Sequence, residues 1–129
     1  MKSTSTYPKI FFAVIFISAV SGCSQKKNTL VSRSYHNLTS HYNGYYYGGI
    51  SLDEGIDRIE RAHVDDYSKI LPMFKLADEK TAKANYPSFD KAIQKTSLVI
   101  SRHSMLIKGV EYCRWIDENF LVLGKAHFY

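Results

Sequence analysis

Ser51-Leu52-Asp53-Glu54-Gly55-Ile56-Asp57-Arg58-Ile59-Glu60-Arg61-Ala62-His63 is the stretch on which the fold class turns. Leu52, Ile56, Ile59 and His63 follow at steps of four, three and four, which gathers them on one side of an α-helix. Asp53, Glu54, Asp57, Arg58 and Glu60 fall on the other side, towards water. Ser51 offers an N-cap, and Glu54 three residues later completes a capping box. The expectation is an amphipathic helix with one buried stripe.

Working outward towards the N-terminus, Gly48-Gly49 reads as a tight turn that ends an earlier helix, from about Thr29 to Tyr46. The two helices would form an antiparallel hairpin. Tyr42, Tyr45, Tyr46 and Tyr47 crowd the end of the first helix, where they form either a protein-binding face or the inner wall of the hairpin.

Towards the C-terminus, a linker around Asp65-Asp66-Tyr67 leads into Ile70-Leu71-Pro72-Met73-Phe74, an apolar patch expected to pack against the hairpin as a bent stretch or short turn. Lys75 to Ala84 reads as a short polar helix. Pro87-Ser88 then opens another, with Ser88 as cap and Phe89, Ile93, Thr96, Ile100, His103 and Ile107 on one face. Gly109 interrupts, and a last segment from about Glu111 carries Ile116, Phe120, Leu123 and His127 on a single face. No strand alternation stands out anywhere. The expectation is all-α: about five helices in antiparallel hairpins.

Phe120-x-x-Leu123-Gly124-x-x-His127 fits the opening of a tetratricopeptide helix, whose pattern is Trp-x-x-Leu-Gly-x-x-Tyr. In that repeat the glycine admits a paired helix and the large residues fill the space between the two. A solenoid needs a polar cap, whereas this segment finishes on Ala126-His127-Phe128-Tyr129. The expectation is a tetratricopeptide-like domain over 29–129, truncated at its C-terminal end. An ordinary terminal helix docked in a core is the alternative.

At the N-terminus, Lys2 and Lys9 precede an apolar run from Ile10 to Val20, and Val20-Ser21-Gly22-Cys23 is a bacterial lipobox. The run is too short to span a bilayer. Residues 1–22 are thus expected to be a cleaved signal peptide, with diacylglycerol on the Cys23 sulfur and an acyl chain on the new N-terminus. Two or three chains, at about 0.8 kcal/mol per buried methylene, anchor a protein stably to a membrane. Residues 23–28 read as a flexible tether. Position 24 is serine with no acidic residue beside it, which leans towards the outer membrane.

The chain has 17 Lys and Arg against 12 Asp and Glu; without Lys2 and Lys9 the balance is 15 against 12. Basic and acidic residues are interleaved from Arg33 onward, as on solvated helix faces, so no nucleic-acid partner is expected. With Cys23 lipidated, Cys113 has no disulfide partner and reads as a small buried residue. His36 and His41 are five apart, not the four that put two ligands on one helix face, and no carboxylate completes a set. His63, His103 and His127 fall on the predicted buried stripes and read as core imidazoles with one hydrogen bond each. Ser88-x-x-Lys91 and Ser24-x-x-Lys27 match the Ser-x-x-Lys string of penicillin-binding enzymes but lack its companion motifs. Neither a catalytic residue, a metal, a cofactor beyond the Cys23 lipid, nor a small-molecule substrate is expected.

The lipobox, the segment from Asn28 to Tyr46 with its Tyr35-His36-Asn37-Leu38-Thr39 and His41-Tyr42-Asn43-Gly44-Tyr45 strings, and the tract Arg114-Trp115-Ile116-Asp117-Glu118-Asn119-Phe120-Leu121-Val122-Leu123-Gly124-Lys125-Ala126 together resemble a known family. It is the tetratricopeptide lipoproteins of gliding motility and type IX secretion, the PorW/SprE type, and the resemblance covers essentially the whole chain after the signal. It implies an outer-membrane lipoprotein whose helical array links envelope proteins of the secretion and motility apparatus, with Cys23 as the one functional residue carried over. The competing class is a small self-contained periplasmic lipoprotein with a ligand-binding or enzymatic role.

Overall fold

Ser32, His36, Ser40, Gly44, Gly48 and Leu52 recur every fourth residue, and all six are buried. The computed structural model describes residues 24–129, and in it this spacing belongs to one continuous helical rod. The rod comprises α1 (Leu30–Thr39), a π-helical segment (Ser40–Tyr46) and α2 (Tyr47–Ala62). Ser40 and Tyr47, at the two junctions, keep right-handed helical torsions. At 3.6 residues per turn, each step of four overshoots a full turn by about 40°, so a purely α-helical stripe would wind off the buried side. The wider turns of the π segment, closed by i→i+5 bonds, take up that excess.

The predicted hairpin at Gly48-Gly49 is therefore absent, and the reason is packing. A Cβ on Gly48 would lie 2.9 Å from Thr96 Cγ2, so this glycine marks where a second helix presses against the rod. A glycine costs a helix interior about 1 kcal/mol, which burial on both flanks offsets. Ser51 is not an N-cap: it is buried inside α2 and its hydroxyl donates to the Tyr47 carbonyl at 3.2 Å. Glu54 faces Arg58 across one turn instead of closing a capping box. The true cap is Thr29, whose side chain accepts from the Ser32 amide.

The polar helix from Lys75 and the one opened by Pro87-Ser88 are a single helix, α3 (Glu79–His103). Asp78 caps it, accepting from the Thr81 amide at 3.0 Å. Pro87 sits inside α3 on its exposed side. The lost backbone bond costs about 3 kcal/mol, which burial of Phe89, Ala92, Thr96 and Val99 outweighs. Ser88 is no cap either; its hydroxyl accepts from Arg58 Nη1 at 2.9 Å.

After α3 the chain forms a short antiparallel hairpin, β1 (Leu106–Ile107) with β2 (Val110–Glu111). Lys108 and Gly109 both have positive φ, 52° and 80°, the signature of a type I′ turn. Ile107 thus lies on a strand and not on the helix face assigned to it. The final helix is α4 (Ile116–Phe128).

Among the described residues the architecture is all-α apart from this hairpin: three helical rods, not five helices, and no solenoid. The main core joins Leu52 and Ile59 of the rod to Phe89 and Ala92 of α3 and to Val122 and Ala126 of α4. A second cluster, Met105, Cys113 and Ile116, sits under the hairpin. Between α2 and α3, residues 63–78 form an extended loop. Ile70 is 100% exposed and Met73 89%, so the apolar patch does not pack as expected; Phe74 alone of it meets a helix aromatic, 5.6 Å from Phe128.

Candidate functional site

Cys23 lies outside the described residues. The segment after it makes hydrogen bonds to the helices: the Ser32 hydroxyl donates to the Ser24 carbonyl at 2.8 Å, and Gln25 Nε2 donates to the Ser101 carbonyl at 3.0 Å. Asn28 Oδ1 accepts from Arg33 Nε. These polar residues, read as a tether because they have little apolar surface, bind through backbone and amide groups at the junction of α1 with the end of α3.

The tetratricopeptide-like motif falls on the outer side of α4. Phe120, Gly124 and His127 are exposed and Leu123 is half-buried, whereas Ile116, Asn119, Val122 and Ala126 face the core. Of the face predicted for this helix, Ile116 alone is fully buried. The displaced register has a polar cause. Asn119 Nδ2 donates to the Ser40 carbonyl at 3.3 Å and the Trp115 carbonyl at 2.6 Å, clamping α4 to the π segment. Gly124 has open space where a Cβ would be, so no helix among the described residues approaches it.

The tyrosines divide. Tyr45 turns inward against the core and tilts over Trp115 at 5.2 Å, with His41 on the same indole at 4.1 Å. Tyr42, Tyr46 and Tyr47 are each about half exposed. Tyr47 lies under the Lys95 ammonium at 5.6 Å.

α3 packs extensively against both the rod and α4, while α2 and α4 touch each other far less. The result is a groove between α2 and α4. One reach is lined by Ile56, Phe74, Phe120, Leu121, Gly124 and Phe128, and Lys125 separates it from a second reach along Tyr45, Tyr46, Ile50 and Val122. Phe74, Phe120, Leu121 and Phe128 are 55%, 54%, 54% and 55% exposed. Large apolar side chains standing half out of water around one concavity make an exposed hydrophobic patch. Leu121, Phe128 and Phe74 carried no motif in the sequence; only the placement of α4 brings them together.

A second polar constellation lies at the opposite end of the rod. His36 Nδ1 and His103 Nδ1 are 2.9 Å apart, and the ring centroids are 5.1 Å apart, so the imidazoles meet nitrogen to nitrogen. At 2.9 Å the two nitrogens stand at hydrogen-bond distance. The Tyr35 ring lies 5.2 Å from His36 and 5.7 Å from His103. Burial holds both imidazoles below their ordinary basicity. The Glu111 carboxylate opposes this at His36, and the neighbouring His36 and Arg102 add to it at His103. His63 is partly buried beside Asp65, 3.3 Å away, and His127 is exposed, so of the three histidines read as core imidazoles none is fully buried.

Beside this pair, Cys113 is buried, and its thiol donates to Ser40 Oγ at 3.1 Å. Burial pushes the thiol up, which keeps it protonated and unreactive. Asn37 bridges α1 to the chain after the hairpin, donating to the Tyr112 carbonyl and accepting from the Arg114 amide. Among the described residues no three His, Cys, Asp or Glu side chains cluster as a metal site. Among them, too, no helix is long and apolar enough to cross a membrane. No protein-family model matches the chain, and no curated protein matches it.

Proposed function

We propose that this chain is a non-catalytic, lipid-anchored envelope protein that holds other proteins through the groove between α2 and α4. The observation that supports binding is the half-exposed quartet Phe74, Phe120, Leu121 and Phe128 around one concavity. Such a groove suits the apolar face of an amphipathic helix, with anchors spaced three and four residues apart. The open space at Gly124 would let that helix approach closely. In this proposal the exposed side of α4, which carries Phe120 and Gly124, is the side a partner helix would cover.

The arrangement also separates the groove from the anchor. Ser24, next to Cys23, is held by Ser32, and Gln25 by Ser101, whereas the apolar reach of the groove begins at Ile56. The rod from Ser32 to Ile56 is on the order of 35 Å long. Lipid on Cys23 would hold one end at the bilayer and leave the groove a helix length away from it. On the resemblance of residues 28–46 and 114–126, the proposed location is the periplasmic face of the outer membrane and the proposed partners are components of protein secretion and gliding motility.

The test replaces Leu121 and Phe128 together by Asp. Both are exposed, so the circular dichroism and melting temperature should stay near wild type, while secretion or gliding and site-specific crosslinking from position 124 to envelope proteins should be lost. Unimpaired crosslinking and motility in a stably folded double variant would refute the groove. Separately, Cys23→Ala should abolish acyl labelling and release the protein from membranes; labelling that persists would overturn the anchor.

A further inference from the structure

His36 and His103 share a contact that can hold one proton and no more. Two bare lone pairs at 2.9 Å repel, and two N–H groups pointed at each other clash. A neutral imidazole pair carries two protons on four nitrogens, so one lies in the contact and the other on one of the two Nε2 atoms. His36 Nε2 is buried and has no hydrogen-bond partner. An orphaned acceptor is better tolerated in a protein interior than an orphaned N–H. His36 is therefore the donor from Nδ1, and His103 accepts on Nδ1 and carries its proton on Nε2.

A third proton cannot be added without breaking something. With the contact intact it must make both Nε2 atoms N–H, which puts a donor without a partner, and a share of positive charge, on His36 in the interior. The alternative is to part the rings. His103 is half-buried, is the last residue of α3, and borders an open cleft with Ser24, Gln25, Tyr35, Ser101 and Arg102; His36 also edges this cleft but is only 2% exposed. As an imidazolium it can turn into that cleft, where water satisfies both N–H groups and the helix C-terminus favours the charge.

We propose that the His36–His103 pair is an acid-released latch, which clips the C-terminal end of α3 and the Ser24–Gln25 segment docked on it to α1. The surrounding charges bear on it unequally. From β2, Glu111 favours a proton on His36, but its oxygens are already taken by the Ser104 hydroxyl and the Met105 and Cys113 amides. From α3, Arg102 disfavours charge on His103. From α1, the Tyr35 ring lies against both imidazoles, and the Cys113 thiol stays neutral behind them. Neither partner therefore has a free carboxylate at hand to neutralise it when charged. The latch does not depend on the lipid or on the groove, and its failure would leave both untouched.

The detergent-solubilised, 15N-labelled full chain supplies the test. At pH 7.5 the imidazole 15N spectrum should show His36 protonated on Nδ1 and bare on Nε2. Below pH ~6.5, the ordinary histidine value, amide protection at residues 101–105 and 24–28 should fall by about tenfold per pH unit, the slope of single-proton uptake. His103→Gln keeps a hydrogen-bonding group facing His36 but cannot titrate, and should abolish that slope. An equal acid slope in wild type and His103→Gln, or a His36 tautomer protonated on Nε2, would overturn the latch. If His103→Gln does not fold, the wild-type tautomer and slope decide the question.

Discussion

Gly44 and Gly49 are five residues apart in one rod and have opposite roles. A Cβ on Gly44 would fall 2.0 Å from Asn119 Oδ1 and 2.9 Å from Val99 Cβ, both buried side chains with nowhere to retreat. A Cβ on Gly49 would meet nothing within 4 Å. Gly44→Ala should thus destabilise the protein by about 1–3 kcal/mol through overpacking, whereas Gly49→Ala should stabilise it by about 0.5–1 kcal/mol by restoring helix propensity. Urea unfolding of the two variants checks this, and a loss of stability at Gly49 would contradict the placement of that face in open space. In the sequence both glycines look like breakers, because a glycine that ends a helix and one that admits a neighbour are spelt the same way. Gly55, where a Cβ would fall 2.7 Å from the Phe89 ring, is of the same admitting kind as Gly44.

At the scale of elements, helix identity was legible and helix ends were not. The stripe Leu52, Ile56, Ile59 marks α2 correctly, and Phe89, Thr96 and Ile100 mark α3. Ser51 and Ser88, good caps by type, are instead buried within helices that continue past them, since Thr29 and Asp78 start the same helices further upstream. Pro87 shows the same override: burial of Phe89, Ala92, Thr96 and Val99 outweighs the bond it removes. Because Pro87 is exposed, Pro87→Ala should add about 1–3 kcal/mol by restoring that bond, less the entropy a proline removes from the unfolded chain. Thermal unfolding reads this directly, and a lower melting temperature would mean that the ring packs. The π segment had one signal in the sequence, the unbroken spacing of four from Ser32 to Leu52, which an α-helix cannot keep on one side.

For the whole molecule, acid sensitivity follows from which groups the fold keeps neutral. His36 and His103 are less basic folded than unfolded, so below pH ~6.5 the unfolded chain takes up more protons than the folded one. Their contribution to stability is complete above that pH and declines as pH falls through it. Asp66, held low by Ser68 and then Lys69, and Asp78, held low by Thr81, act further down: theirs is present above the usual carboxylate value and lost below it. The urea midpoint should therefore fall in two stages, near pH 6 and below pH 4, and His103→Gln should reduce the first alone; a single stage near pH 4 in wild type would refute the histidine part. By itself the sequence determined the helical class and which side of α2 is buried, because each depends on local spacing and composition. Only the tertiary structure decided that the rod runs unbroken through Gly48-Gly49 with Gly48 as a helix contact, that α4 buries Asn119 and Val122 and leaves Phe120 and Gly124 outside, and that His36 meets His103 sixty-seven residues away. Those outcomes depend on what lies across from each residue, and burial against a partner outweighs the fraction of a kilocalorie by which local propensity prefers one conformation over another.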